Sequence, residues 1–391
     1  MQYTVDEVMK YIEEEDAKFI RLAFPDAFGA QKNIAVMPGI LKNAFEEGIP
    51  VNARQIAGFE DCPYAALYLR PDASTLSVLP WRPDSGRVLR MLCMLYTPDG
   101  EIYRSDTRGI LKAAEAEAKK AGISFRFGNE TEFYLFLKDE EGKPTRIPFD
   151  EAAYMDIAPA DRCENIRREI CLTIERMGLT PERSHHESGP GQNEIDFHHG
   201  KPLKAADQMT TFKMVVRTVA DRYGLAADFS PMPLPGKPGN GYHINLYALD
   251  ADGNDAARMA AAGILEKIRD ITIFLNPTDA SYARLGSSSA PDRVNWSEEG
   301  KSELLYIDDF QGRIRAELRS PDATSNPYLV YALLIRAGLY GIRNKLTLSE
   351  EMNEKGLFLP GSRKEAAACA KKSAFVKELI PEEIIKVYAG T

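Results

Sequence analysis

The chain has 391 residues, 44% of them apolar, and a formal net charge of −9 at pH 7. Such a length and apolar fraction suffice for two or three domains with real cores. The acidic balance, without a basic run of five or more, argues against a nucleic-acid or anionic-membrane partner, and no apolar stretch is long enough to span a bilayer.

Five widely spaced cysteines, Cys62, Cys93, Cys163, Cys171 and Cys369, form no CxxC pair. Reduced cytoplasmic thiols are the expectation, rather than a disulfide framework or a zinc site. The N-terminus runs directly into TVDEVMKYIEEE, so no signal peptide is expected.

Thr4 and Glu7 form a capping box opening a helix to about residue 15, with Val5, Val8, Met9 and Ile12 on its inner face. Alternation over residues 19–24 and 32–37, broken by Pro25, Asp26 and Gly29, predicts a hairpin. A helix over 40–47 stops at Gly48, and strands near 75–79 and 87–96 complete a small α+β module at the turn 97–100. Residues 51–59 (VNARQIAGF) read as a polar, exposed loop. Ser105, Asp106 and Thr107 cap a new helix running to Gly122. The domain boundary falls there, giving 1–104 and 105–391.

From Ile123 onward strands alternate with amphipathic helices over about 162–177, 207–223, 255–274 and 327–344. Residues 127–136 (FGNETEFYLF) place Glu130 and Glu132 on one face with Gly128, Tyr134 and Phe136, against Phe127, Asn129, Thr131, Phe133 and Leu135 on the other. Residues 193–197 set Glu194 and Asp196 against Ile195 and Phe197. Residues 241–246 set His243 and Asn245 against Tyr242, Ile244 and Leu246. Residues 313–319 line up Arg313, Arg315, Glu317 and Arg319 against Ile314, Ala316 and Leu318. Neighbouring acids in so apolar a strand repel one another, and burying them costs several kcal/mol unless a cation lies between them. A sheet packed on helices by one face and carrying Glu, His and Arg on the other describes the wall of a charged site. Carboxylates with a single imidazole suit Mg²⁺ or Mn²⁺, and the glutamates suffice for two ions. The competing reading is an edge strand with both glutamates in water. His185 and His186, like His198 and His199, read as surface or hydrogen-bonding residues rather than ligands.

Five blocks in order, GNETEF, HHESGPGQNEI, GNGYHINL, SYARL and RAELRSPDATSNPYL, resemble the motifs of the glutamine synthetase family. The resemblance covers about residues 105–385 and extends more weakly to the N-terminal module. It implies an α+β fold with an N-terminal β-grasp domain and a catalytic domain built as an antiparallel half-barrel backed by helices. It places one metal on Glu132, Glu187 and Glu194 and a second on Glu130, His243 and Glu317, with Mg²⁺ or Mn²⁺ as the ions and ATP as a substrate. Arg319 then contacts the transferred phosphoryl beside Glu317, both counted as catalytic. Arg284 grips the α-carboxylate of glutamate in a pocket that includes Gly239. Arg315, Asn245 and Lys301 lie near the nucleotide. The resemblance also implies a cytoplasmic homo-oligomer of stacked rings, in which residues 51–59 of one subunit complete the neighbour's site.

Several positions depart from the family pattern. The flap that carries a glutamate is replaced by Gly286-Ser287-Ser288-Ser289. The Asp-Gly-Ser-Ser that helps bind ammonium is replaced by Asn52-Ala53-Arg54-Gln55. Asn245 stands for a second histidine, Glu299-Gly300-Lys301-Ser302 for Arg-Asn-Arg-Ser, and Pro238 for an asparagine. The expected function is therefore an ATP-dependent ligase that passes a phosphoryl group to a glutamate-like carboxylate and joins it to an amine other than ammonia. Ordinary glutamine synthesis, a metal-dependent amide hydrolase and a non-catalytic scaffold are the alternatives.

Overall fold

The computed structural model describes residues 3–82, 85–287, 290–300, 302–310 and 312–390. The capping box of Thr4 and Glu7 opens the first helix, Val5–Glu14. Val8 and Ile12 are buried while Val5 is exposed, so the helix rests on the sheet only from its second turn onward. The alternating segments pair as the antiparallel hairpin Ala17–Pro25 and Gln31–Val36. Ala17–Pro25 also pairs in parallel with Arg87–Tyr96, giving a sheet in the order Gln31–Val36, Ala17–Pro25, Arg87–Tyr96, Ala66–Pro71, Ile49–Asn52, with Ser77–Val78 beside Arg87–Tyr96. Residues 51–59 differ from expectation. They begin inside the strand Ile49–Asn52 and go on to bury Ala53, Ile56 and Phe59, leaving Asn52, Arg54 and Gln55 exposed. Ala53, Ile56 and Phe59 recur every third residue from the single 3₁₀ turn Ala53–Gln55, and so short a turn leaves no amphipathic stretch to read.

Helix Thr107–Lys120, capped by Asp106, leads from this module into the second one. There a nine-stranded sheet runs in the order Trp296–Ser297, Leu305–Phe310, Arg313–Leu318, Tyr242–Leu249, Ser124–Lys138, Gln192–Gly200, Pro181–His186, and Ser124–Lys138 also pairs with Leu225–Asp228 and Pro144–Pro148. The strands are antiparallel apart from the short pair at Trp296, and the sheet curls into a half-barrel. Its back is apolar. Phe127 stacks on Tyr331 of the helix Pro327–Arg343 with ring centroids 4.3 Å apart, and Phe133 meets Phe212 of the helix Pro202–Arg222 edge to face. Burying each ring is worth about 1.5–3 kcal/mol. The back face also holds polar groups in partnership: Tyr331 bonds both Asn129 and Tyr242. With the back committed to this packing, the alternate side chains of each strand are turned to the concave face, and these are the charged ones.

Candidate active site

Strand register brings the charged positions together. Glu132 lies opposite Glu194 and Glu130 opposite Asp196 on one side of Ser124–Lys138. On the other side His243 lies opposite Glu130, and one strand further Asn245 lies opposite Glu317. Residues directly opposite in a sheet point to the same face, so these side chains share the concave wall. All are buried.

Two groups there can hold a cation. Ligand atoms of Glu130, His243 and Glu317 lie within 4.8 Å of one another, with His243 Nδ1 3.8 Å from both carboxylates. His243 Nε2 is buried without a hydrogen-bond partner among the described residues. It borders an open space that exists because residue 241 is glycine: a Cβ there would come 2.7 Å from His243 Nε2 and 3.1 Å from Glu132 Oε1. The second group is His185, Glu187 and Glu194. Glu132 turns its Oε2 instead onto the Gly241 N–H (3.0 Å) and Gln192 Nε2 (2.9 Å). Burial raises the carboxyl pKa values of Glu132 and Glu194, and neighbouring carboxylates add to both shifts, Glu187 for the first and Asp196 for the second. Buried acids repelling one another around an unpartnered imidazole nitrogen fit hard divalent cations.

Arginines rim the wall. Arg319 donates to Glu317. Arg284, fully buried, donates to the carbonyls of Ser320 (2.8 Å) and Arg319 (3.3 Å), with its Nε left without a partner among the described residues. Arg315 is fixed by a two-pronged ion pair to Asp308 at 2.9 and 2.6 Å, and its guanidinium lies 4.6 Å over the Phe310 ring. Asn245 Nδ2 donates to Glu130 at 3.1 Å. The carbonyl of Gly239 accepts from Gln192. Lys301, expected beside the nucleotide, and Ser288 and Ser289 of the shortened flap lie outside the described residues.

Several contributors escaped sequence reasoning. His185 stands with Glu187 and Glu194 because its strand, Pro181–His186, pairs it with Glu194; carrying the alternation back across the loop would have shown this. His186 is a hydrogen-bonding residue, as expected, but a fully buried one, meeting Asp150 at 2.9 Å. Asp150 also accepts from the Gly191 N–H and from Cys163, while Asp161 is held by Arg167. Cys163, His186, Asp150 and Asp161 thus form a closed hydrogen-bonded brace beneath the loop that carries Glu187. Gln192 ties Glu132 to Gly239 and Asn240, and a polar residue in a glycine-rich loop gave no hint of that. Arg183 pairs with Asp196 at 2.8 Å across neighbouring strands.

The described fold and wall have counterparts in known proteins. The chain matches the glutamine synthetase β-grasp domain over residues 16–98 and the glutamine synthetase catalytic domain over residues 104–391. It belongs to the glutamine synthetase family, ATP-dependent ligases that form carbon–nitrogen bonds in nitrogen metabolism and generally use divalent metals. Among its relatives, the glutamine synthetase of Clostridium saccharobutylicum is 37% identical, with 100% of this chain and 94% of that one covered. The glutamine synthetase of Methanosarcina mazei is 40% identical, with 98% and 92% covered. A solved structure titled as a GmaS/ADP complex superposes with a TM-score of 0.87 over 97% of this chain and 93% of that one at 24% identity, which shows the shared fold. Among the described residues no helix is long and apolar enough to cross a membrane.

Proposed function

We propose that this protein joins a glutamate-like carboxylate to an amine other than ammonia, at the expense of ATP. Glu130, His243 and Glu317 would hold one Mg²⁺ or Mn²⁺, and Glu187 and Glu194, with Glu132 and His185 beside them, a second. Such ions supply charge neutralisation on the ATP phosphates and on the transferring phosphoryl group. Arg284 binds the α-carboxylate next to Gly239, its Nε, unpartnered among the described residues, being one of the donors left for it. Arg315, preset by Asp308, together with Asn245 and Lys301, serves the nucleotide. A carboxylate oxygen of the substrate attacks the γ-phosphorus, ADP leaves, and Arg319 steadies the negative charge of the group in flight. The amine nitrogen then attacks the acyl carbon, expels phosphate and releases a proton.

The observation that carries this reading is the turn after Arg284. The Gly286 N–H bonds to the Ala290 carbonyl at 2.8 Å, and the Ala290 N–H returns to Ser287 at 3.1 Å. Residues on either side of the shortened flap are thus tied together, and the sequence from Gly286 to Ala290 is glycine, serine and alanine, with no acid among them. On the other side Asn52 stands in place of an aspartate, its Oδ1 accepting from the Arg54 N–H. A site that captures ammonium needs negative charge to draw it from water, whereas a neutral or bulkier amine does not. Exposed Asn52, Arg54 and Gln55 are available to a neighbouring subunit, in keeping with stacked rings whose sites are shared between the 1–104 module of one chain and the 105–391 module of the next.

Glutamine synthesis itself is the second reading, favoured by Asp292. A carboxylate oxygen of Asp292 lies 3.1 Å from where a Cβ on Gly286 would stand, so one acid remains against the shortened flap. Phosphate release from ATP decides between them, measured with Mg²⁺ or Mn²⁺ and glutamate, and with no acceptor, ammonia, hydroxylamine or a panel of primary amines. Stimulation by one amine well above ammonia is expected. Preference for ammonia overturns the reading in favour of glutamine synthesis, and no stimulation by any acceptor removes ligase activity altogether.

A further inference from the structure

Where the helix Pro202–Arg222 meets the N-terminal module lies a cavity of about 920 Å³, within the range of about 300–1,000 Å³ usual for small-molecule sites. It is separate from the metal wall: that helix packs on the apolar face of the sheet through Phe212, and no residue of the candidate active site lines the cavity.

Its lining is basic in a chain that is acidic overall. Arg21 and Arg90 come from the N-terminal sheet, Lys213 and Arg217 from the helix, and Arg146 from the strand Pro144–Pro148. The carboxylate among them is Asp228, 3.6 Å from Arg146 and also accepting from the Ser230 N–H. Among the described residues, Arg21, Arg90, Lys213 and Arg217 have no carboxylate within 4.0 Å. Arg90 is buried, with one nitrogen on Thr211 (3.0 Å) and its Nε unpartnered among the described residues. Lys213 donates to the Ala323 carbonyl, a neutral acceptor. Arg217 lies 5.2 Å from the centre of the Phe229 ring and is exposed to solvent.

Gathering cations that no carboxylate touches costs energy through mutual repulsion and lost hydration, which Asp207, Asp322 and Asp228 offset only from beyond ion-pair distance. Burial, with Arg217 adding to it, lowers the Lys213 amine well below the usual lysine range, and burial lowers Arg90 as well. A fold does not need such a cluster for packing; apolar residues of the same size would fill the joint at less cost.

We infer that this cavity binds a small, multiply charged anion bearing carboxylate or phosphoryl oxygens, recognised by Arg21, Arg90, Lys213 and Arg217 together. The guanidiniums supply forked donors and the lysine a compact charge, a combination suited to planar carboxylates and to phosphoryl groups. Lys213 and Arg284 both donate to carbonyls of one segment, through Ala323 and through Ser320 and Arg319 respectively, which places the occupant one hydrogen bond from the loop that carries Arg319.

Calorimetric titration of the metal-free full-length protein at low salt tests this, with succinate and citrate as carboxylate probes and inorganic phosphate and pyrophosphate as phosphoryl probes. At least one probe binds at sub-millimolar concentration, and the stronger pair identifies the chemistry. Arg217→Gln alone and the double variant Arg21→Gln/Arg217→Gln weaken binding, the double by roughly tenfold or more. Glu317→Gln, altered only at the metal wall, binds as the unaltered protein does. The inference fails if no probe binds, or if Glu317→Gln loses binding while the arginine variants keep it. It fails too if the arginine variants change only subunit assembly, since a neighbouring chain would then fill the cavity. Because neither ATP nor glutamate is present, the outcome is independent of the proposed ligase activity.

Discussion

Replacing Asp106 by Asn should stabilise the protein at pH 8 while changing little near pH 4. Asp106 caps helix Thr107–Lys120 at the joint between the modules, its Oδ2 accepting from the Gly109 N–H (3.2 Å) and the Leu95 N–H (3.3 Å). It is fully buried and its Oδ1 has no partner among the described residues. Burial pushes its carboxyl from 3.8 up to about 7, against the pull of Arg108 and the backbone donors. A folded-state pKa above the unfolded one means that the folded protein holds its proton more tightly. That stability is fully present below about pH 4 and is lost as pH rises through about 7. At about 1.4 kcal/mol per pH unit, the rise from 3.8 to about 7 corresponds to about 4 kcal/mol. Asparagine keeps the accepting oxygen and is an equally good cap, but never has to ionise. Urea-unfolding midpoints of both proteins at several pH values from 4.5 to 8.5 would measure this. The variant should gain steadily across the window and level off above pH 7.5. A difference between the two that is constant with pH would refute the reasoning, because a neutral packing effect has no such slope.

Three further outcomes are expected. Mn²⁺ or Mg²⁺ should raise the melting temperature of the protein, by the equivalent of about 2.7 kcal/mol at a hundredfold excess over Kd, and Glu317→Gln should reduce that gain together with metal-dependent turnover; an undiminished gain in this variant would remove Glu317 from the metal wall. Gln192→Leu, which strips Glu132 of its 2.9 Å donor, should weaken metal binding by about 10- to 100-fold with little loss of fold, read by metal titration of activity beside a circular dichroism spectrum. Arg108→Met should cost about 3–5 kcal/mol, since Arg108 is buried between Asp207 (2.9 Å) and Asp72 (2.8 Å) and its loss leaves Asp207 charged with, among the described residues, the neutral Tyr328 hydroxyl (2.8 Å) as its remaining side-chain donor; unfolding midpoints check it.

The wall was legible in the sequence because a sheet buried on one face obeys a strict period of two. Glu130, Glu132, Glu194, His243 and Glu317 announce their shared face through the apolar residues between them, before any pairing is known. What the period cannot show is which oxygen each carboxylate offers. Glu132 lies in the strand where it was expected, yet its Oε2 is committed to Gly241 and Gln192, residues 109 and 60 positions away along the chain, and His185 occupies the place beside Glu187 and Glu194. That choice is made by a loop crossing the strand end, and loops have no period. The same holds for residues 51–59, where Ile56 and Phe59 are buried by the surrounding module and one 3₁₀ turn, Ala53–Gln55, is too short to show as an amphipathic pattern. The basic cavity was illegible for a related reason: Arg21, Arg90, Lys213 and Arg217 stand in separate elements of two modules, each in an ordinary amphipathic setting, and their charges meet only where those modules close on one another. Local periodicity therefore reads chemistry confined to one sheet, whereas chemistry assembled at a joint between modules requires the fold.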